Sequence, residues 1–267
     1  MPERDWRVHS TNLVGVPTGL LASSAFNDYP VPLHIAGTRE TSASLFSMLA
    51  QAEQPDEASD AFEKYMCAMF GEGVAITAKD GRRRYRTSYR QLLEDWAFNA
   101  NAPAGAVLKG WVESRFGLMP SYHNGRIERT GSHTWAKYLE DKMTSHYHNN
   151  SIHTQLDLLY EFAQWMIARF FSALRPTVTL YRGVNALMEH EVVFRQDRHH
   201  AIVRMNNLVS FSTERDVADC FGDVILEARV PAVKVLFFRE LLPRHALGSE
   251  AECLVIGGDY RVRLAYL

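Results

Sequence analysis

Two carboxylates, Glu250 and Glu252, stand two residues apart in Ser249-Glu250-Ala251-Glu252, which runs on into the apolar stretch Cys253-Leu254-Val255-Ile256-Gly257. In an extended strand, residues i and i+2 project from the same face. Both acids then point one way, while Ala251 and Cys253 point the other. Like charges side by side on a strand repel, so a cationic partner is expected in front of them. Taken alone they also fit a solvated sheet edge, because Glu is by preference a surface residue. Two more pieces lie upstream. Tyr181-Arg182-Gly183 sets a fixed fork of guanidinium donors beside a backbone that a ligand can approach closely. Leu208-Val209-Ser210-Phe211-Ser212-Thr213 reads as a strand with Ser210 and Ser212 on one side. It gives way to a short amphipathic helix whose apolar residues are Val217, Ala218 and Phe221, with Thr213 as its cap. Each piece is weak by itself. An arginine, a Ser-x-Ser strand and a Glu-x-Glu strand, in that order within a β-rich region, are far more specific together.

The elements that must hold these pieces divide the chain in two. Residues 1–38 are rich in Pro, Gly, Ser and Asn, and their apolar residues (Leu13, Val14, Leu20, Leu21, Phe26, Leu33) predict a packed covering segment. Helices are predicted over 40–53 and after Pro55, where Phe62, Tyr65, Met66, Met69 and Phe70 form a stripe that Gly71 stops. Arg82, Arg83, Arg84, Arg86 and Arg90 read as a solvated turn, with docking of an acidic group as the alternative. That turn leads into a helix from Ser88 carrying Leu92, Leu93, Trp96 and Phe98. Seven Gly and Pro residues across 101–132 predict loops and short helices. A helix near 133–145 and a long one over 151–174 follow, the latter ended by Pro176. Beyond that the period changes. Strands are predicted at 177–181, 208–212, 224–230, 233–238, 252–256 and 260–266. The expectation is an α+β fold: a mainly helical part, 1–175, packed on a mainly strand part, 176–267, with a mixed or antiparallel sheet and the whole of 1–267 forming one domain.

Composition removes several function classes. The chain has 267 residues with a formal charge of −2, less basic than a general nucleic-acid or anionic-membrane binder. It has no apolar stretch long enough to span a bilayer. Cys67, Cys220 and Cys253 lack CxxC spacing, which argues for a reducing compartment and against a disulfide frame or zinc ribbon. The charged first residues lack an apolar core of signal type, so a cytoplasmic location is expected. His146, His148 and His153 would need a further convergent ligand to hold a metal, and none is expected.

Tyr-Arg-Gly at 181–183, Ser-x-Ser at 210–212 with trailing Ala218 and Phe221, and Glu-x-Glu at 250–252 resemble the arginine–serine–glutamate class of mono-ADP-ribosyltransferases. Ser10-Thr11-Asn12-Leu13, the stretch from Ala25-Phe26 to Pro32-Leu33, and Thr179 to Asn185 resemble the branch of that class that modifies the nitrogenase iron protein. One departure is Phe211, where the class commonly has Thr; the outward serines are retained. The resemblance implies that NAD is the substrate and that ADP-ribose passes to an arginine of the iron protein, with no metal in the chemistry. It implies Glu252 as the carboxylate that stabilises the ribosyl cation, Glu250 as the residue that orients the acceptor guanidinium and draws its proton, and Ser210 as the group that holds Glu252. Arg182 would pair with the NAD phosphate or adjoining ribose, Gly183 would present backbone to the nicotinamide amide, and Ser212 would support the strand. It further implies control by a PII-type signalling protein and reversal by a separate glycohydrolase. A toxin-like arginine transferase and a catalytically dead binding module are the competing readings.

Overall fold

The computed structural model describes residues 8–9, 11–71, 75–77, 83–85, 87–148, 150–185, 190–243 and 252–266. The N-terminal covering segment forms two short helices, α1 (Thr18–Ala22) and α2 (Ser24–Asp28), which bury Leu21 and Phe26 while Leu13 and Leu20 stay exposed. Asn12 fixes the turn before them, its Oδ1 accepting from the backbone N–H of Val14 and Gly15. The helix expected over 40–53 is two helices, α3 (Thr38–Thr41) and α4 (Ala43–Leu49), because the chain leaves helical geometry at Ser42. Helix α5 (Pro55–Phe70) matches its sequence signals. Proline occupies the first turn, Glu57 returns to the N-cap, and Gly71 ends the helix in the left-handed region. A small hairpin, β1 (Ala75–Thr77) with β2 (Arg83–Tyr85), occupies part of the region read as a turn. Arg82 and Arg86 lie outside the described residues, and Arg90 pairs with Glu63 at 3.6 Å.

Helix α6 (Tyr89–Phe98) starts where predicted, with Ser88 Oγ accepting from the Gln91 N–H. Its Leu92, Leu93 and Trp96 are buried, but Phe98 is 95 % exposed. The loops expected after it are corrected by α7 (Pro103–Phe116), a 14-residue helix buried on most sides. Its glycines are close-contact sites and not breakers. A Cβ on Gly105 would come within 2.1 Å of the Ala100 carbonyl oxygen, and one on Gly110 within 2.5 Å of the Lys142 side chain. Helices α8 (His133–Lys142) and α9 (Ile152–Arg169) follow, α9 ending five residues short of Leu174. α9 is the central post of the helical part. Its buried Glu161 accepts from the Ile35 N–H at 2.7 Å and from Arg39 Nε at 2.5 Å, and Asp157 takes Arg115 in a two-pronged pair.

The strands are β3 (Thr177–Val184), β4 (Glu191–Arg195), β5 (His200–Ser212), β6 (Val224–Pro231), β7 (Val235–Phe238) and β8 (Glu252–Tyr266), with helix α10 (Arg215–Asp219) after β5. Every pairing in the six-stranded sheet is antiparallel, in the order β4-β5-β3-β6-β8-β7 with β5 also paired to β8. The pairings return on themselves: β3 to β6, β6 to β8, β8 to β5, and β5 back to β3 through Tyr181 and Ser212. Two strands expected at 252–256 and 260–266 are one strand, β8. Gly257 and Gly258 do not break it; they face the irregularity in β5 between Met205 and Leu208. A Cβ on Gly257 would sit 1.7 Å from the Asn206 carbonyl oxygen, so only glycine fits opposite that bulge. Helix α9 closes over this sheet, with Gln164 Nε2 donating to the Val235 carbonyl at 2.8 Å and the Tyr160 hydroxyl to that of Val233 at 2.8 Å. The α+β expectation holds, with the helical part N-terminal and the sheet C-terminal.

Candidate active site

The register of β5 and β8 builds the floor of the site. Ser212 lies opposite Glu252, and Ser210 lies opposite Leu254. Glu252 and Leu254 share a strand face, so Ser210 and Glu252 are diagonal neighbours, within reach of each other. The Ser210 hydroxyl donates to Glu252 Oε1 at 2.6 Å, a charge-assisted contact that fixes the carboxylate. Phe211 occupies the opposite face. It is buried, with its ring centroid 6.2 Å from that of Tyr260. Phenylalanine in place of threonine there therefore changes the core and not the polar face.

Strand β3 brings the arginine. Tyr181 pairs with Ser212, which sets Arg182 beside the serine strand. Arg182 Nη1 donates to the Ser210 carbonyl at 2.8 Å, and its Nε donates to His190 Nε2 at 3.4 Å. Gly183 permits α10 to press on the strand: a Cβ there would come 2.0 Å from the Ala218 carbonyl oxygen. Thr213 was expected to cap α10. The N-cap is Glu214 instead, and the turn is held by Ser212 Oγ, which accepts from the Glu214 N–H at 3.0 Å.

Arg182, Gly183, Ser210, Ser212 and Glu252 all line one cavity of about 580 Å³, within the size range of small-molecule sites, roughly 300–1000 Å³. Arg182 and Glu252 are the charged residues among its described lining, which otherwise includes Trp96, Tyr122, Tyr181, Val217 and Phe221. Phe221, expected on the helix after β5, lies past the end of α10; it is 60 % exposed and lends an aromatic face to the cavity. The cavity therefore offers a cation for an anionic group, a hydrogen-bonded carboxylate for a developing positive charge, and aromatic walls for planar rings. Glu250 lies outside the described residues.

Two contributors were missed in the sequence. Trp96, on α6, donates its indole N–H to Ser210 Oγ at 2.8 Å, so the hydroxyl that grips Glu252 is itself held from the helical part. Nothing in the apolar stripe of α6 distinguishes this Trp from a residue that only packs. His190, which precedes β4, is buried against Arg182; strand β4 was itself unforeseen. Of the three histidines weighed as metal ligands, two have environments that bear on this. His148 donates to the Lys142 carbonyl, and burial, followed by the charge of Arg115, pushes His153 down to about 4. Among the described residues, no group of three or more His, Cys, Asp or Glu side chains is placed to hold a metal.

No helix among the described residues is long and apolar enough to cross a membrane. No solved structure matches the chain. The chain is 53 % identical over 270 residues to an NAD(+)–dinitrogen-reductase ADP-D-ribosyltransferase of Rhodospirillum rubrum, an alignment that covers 97 % of this chain and 96 % of that one. The family model for dinitrogenase reductase ADP-ribosyltransferase matches residues 11–264, which takes in all three pieces of the cavity, and the chain belongs to that family.

Proposed function

We propose that this chain transfers ADP-ribose from NAD to an arginine of the nitrogenase iron protein, releasing nicotinamide. The observation that carries this reading is the meeting of Arg182, Ser210 and Glu252, far apart in sequence, in one cavity with Ser210 Oγ 2.6 Å from Glu252 Oε1. The relative from Rhodospirillum rubrum, whose name gives both NAD and dinitrogen reductase, supports the same substrates. In this reaction the bond between ribose C1′ and the nicotinamide nitrogen breaks, and the electron pair leaves with nicotinamide. The ribosyl group becomes oxocarbenium-like, and the Glu252 carboxylate stabilises it while accepting from the ribose 2′-hydroxyl. Ser210 keeps that carboxylate in place. Arg182 takes the phosphate or adjoining ribose of NAD, Gly183 presents backbone to the nicotinamide amide, and Ser212 supports the strand. An arginine side chain is protonated at neutral pH and a poor nucleophile. Glu250 would orient the acceptor guanidinium and take its proton as the new C1′–N bond forms. None of these steps calls for a metal.

Regulation by a PII-type signalling protein and a cytoplasmic location belong to the same reading, and both rest on the sequence resemblance. That residues 1–267 act as one domain is supported by a hydrophobic cluster that takes in Trp111 and Leu159 of the helices together with Val209 and Leu254 of the sheet.

The test is incubation of the purified protein with labelled NAD and reduced iron protein. Label on an iron-protein arginine, located by mass spectrometry, is expected. Label confined to other proteins would favour a toxin-like transferase, and no label on any protein would favour a binding module. Glu252→Gln should abolish both transfer and NAD hydrolysis, whereas Glu250→Gln should lose transfer and keep some hydrolysis. Near-normal transfer by both variants would remove these acids from the mechanism.

A further inference from the structure

His190 is 3 % exposed and stands behind Arg182, lining a small chamber of about 60 Å³ that also touches Trp96, Lys109, Asn206 and Ser210. Its environment fixes its chemical form. Arg182 Nε can only donate, and it lies 3.4 Å from His190 Nε2, so that nitrogen must carry a lone pair. The ring is then neutral with its proton on Nδ1. That Nδ1 is buried and has no hydrogen-bond partner among the described residues. Arg126 approaches from another side, its Nη2 donating to the His190 carbonyl at 3.1 Å. Burial, then Arg182, then Arg126, hold the imidazole down at about 3, so it stays uncharged through the neutral range. An uncharged acceptor beside a guanidinium, with a buried N–H that has no partner among the described residues, needs a reason beyond packing.

We propose that His190 is a positioning residue for NAD binding: with the Ser210 carbonyl, its Nε2 fixes the orientation of the Arg182 guanidinium in the cavity wall. The two acceptors hold different edges of the fork, Ser210 taking Nη1 at 2.8 Å and His190 taking Nε at 3.4 Å. Together they restrict rotation about the last bonds of a side chain with many rotamers, and restricting them before the ligand arrives lowers the ordering cost of binding. The inference rests on Arg182 being an NAD contact, as proposed above, and concerns what aims it.

Two measurements test it. The first needs no NAD. In nitrogen-15 spectra of the full chain, the His190 ring should show the Nδ1–H tautomer from pH 6 to 8. An Nε2–H tautomer or an imidazolium in that range would overturn the proposal. The second compares His190→Leu with His190→Gln, whose amide oxygen can again accept from Arg182. His190→Leu should raise KM for NAD threefold to about tenfold, the range of one modest hydrogen bond, with kcat changed less than about twofold. His190→Gln should recover most of that loss. If both variants keep the original KM, or if both lose kcat and thermal stability in parallel, His190 does not position Arg182. Arg182→Gln serves as the separate control. If NAD binding survives that change, the assignment of Arg182 has failed; if it is lost while His190→Leu binds normally, only the role of His190 has failed.

Discussion

Because Trp96 donates to the Ser210 hydroxyl and that hydroxyl donates to Glu252, the three residues form a chain whose links can be weighed in order. Ser210→Ala removes a 2.6 Å bond to a carboxylate. Such bonds to charged groups contribute about 1.5–3 kcal/mol, so NAD cleavage should fall by a factor of roughly 12 to 150. Trp96→Phe keeps the aromatic packing and removes a neutral donor 2.8 Å from Ser210 Oγ. That link is worth about 0.5–1.5 kcal/mol, a factor of roughly 2 to 12. Once Ser210 is Ala, the indole N–H has nothing left to orient. The double variant should therefore be no slower than Ser210→Ala alone, and the coupling energy should equal the whole Trp96→Phe effect. Sites that do not interact add to within about 0.3–0.5 kcal/mol, so a coupling near 1 kcal/mol is resolvable. The assay is single-turnover release of nicotinamide from saturating NAD, read beside thermal unfolding of all four proteins, since Trp96 is 5 % exposed and a smaller ring leaves some space. Multiplicative effects in the double variant would refute the chain. So would a Trp96→Phe defect confined to KM for NAD.

Gly183→Ala should weaken NAD binding and lower the unfolding midpoint, because its methyl would meet the Ala218 carbonyl at 2.0 Å and push α10 off β3; unchanged binding and stability would show that the helix gives way freely. Lys234 is fully buried, with its ammonium donating to the Gly257 carbonyl at 3.1 Å and facing the rings of Phe26 and Tyr260, and burial pulls it down to about 7. Between that value and about 10.4 the unfolded chain binds one more proton than the folded one, so this group makes stability rise with pH across that window and leaves its full cost in place below it. Any stability advantage of Lys234→Met over the original chain should therefore shrink as urea unfolding is moved from pH 7 to pH 10, and a constant or growing difference would contradict a charge-burial cost.

Among the described residues of the candidate site, Arg182, Ser210, Ser212 and Glu252 each sit on a strand, where alternation dictates direction. Ser210 and Ser212 alternate with Phe211, whose ring is buried against Tyr260, and Glu252 lines the cavity while Cys253 is buried. The strand period carries that information without any tertiary contact. The helical contribution was not legible for the opposite reason. In α6, Leu92, Leu93 and Trp96 all satisfy the same amphipathic pattern, and only the fold shows that the Trp96 nitrogen reaches a serine 114 residues later. Helix α7 was missed because glycine was weighed as a breaker. At Gly105 and Gly110 it is instead the residue small enough to let Ala100 and Lys142 approach. The long strand β8 was divided at Gly257-Gly258 by the same reasoning, and there the glycines answer a bulge in the neighbouring strand.

That bulge bears on the geometry of the candidate site although it lies well along the strands from the cavity. Side chains alternate with a period of two, so a slip of one residue between β5 and β8 would exchange the faces of the two strands relative to each other. Ser212 would then lie opposite Cys253 or Ala251, and the diagonal that lets Ser210 reach Glu252 would be lost. The register is pinned where Asn206 and Asn207 bulge against Gly257, a place no other residue type can occupy at 1.7 Å from a carbonyl oxygen. Asn207 is tied in turn to the carbonyls of Lys109 and Leu118, at 2.8 and 2.9 Å. The helical part therefore bears on the candidate site twice over. Through Trp96 it orients the serine, and through α7 and the loop after it, it clamps the bulge that decides which residue the serine faces.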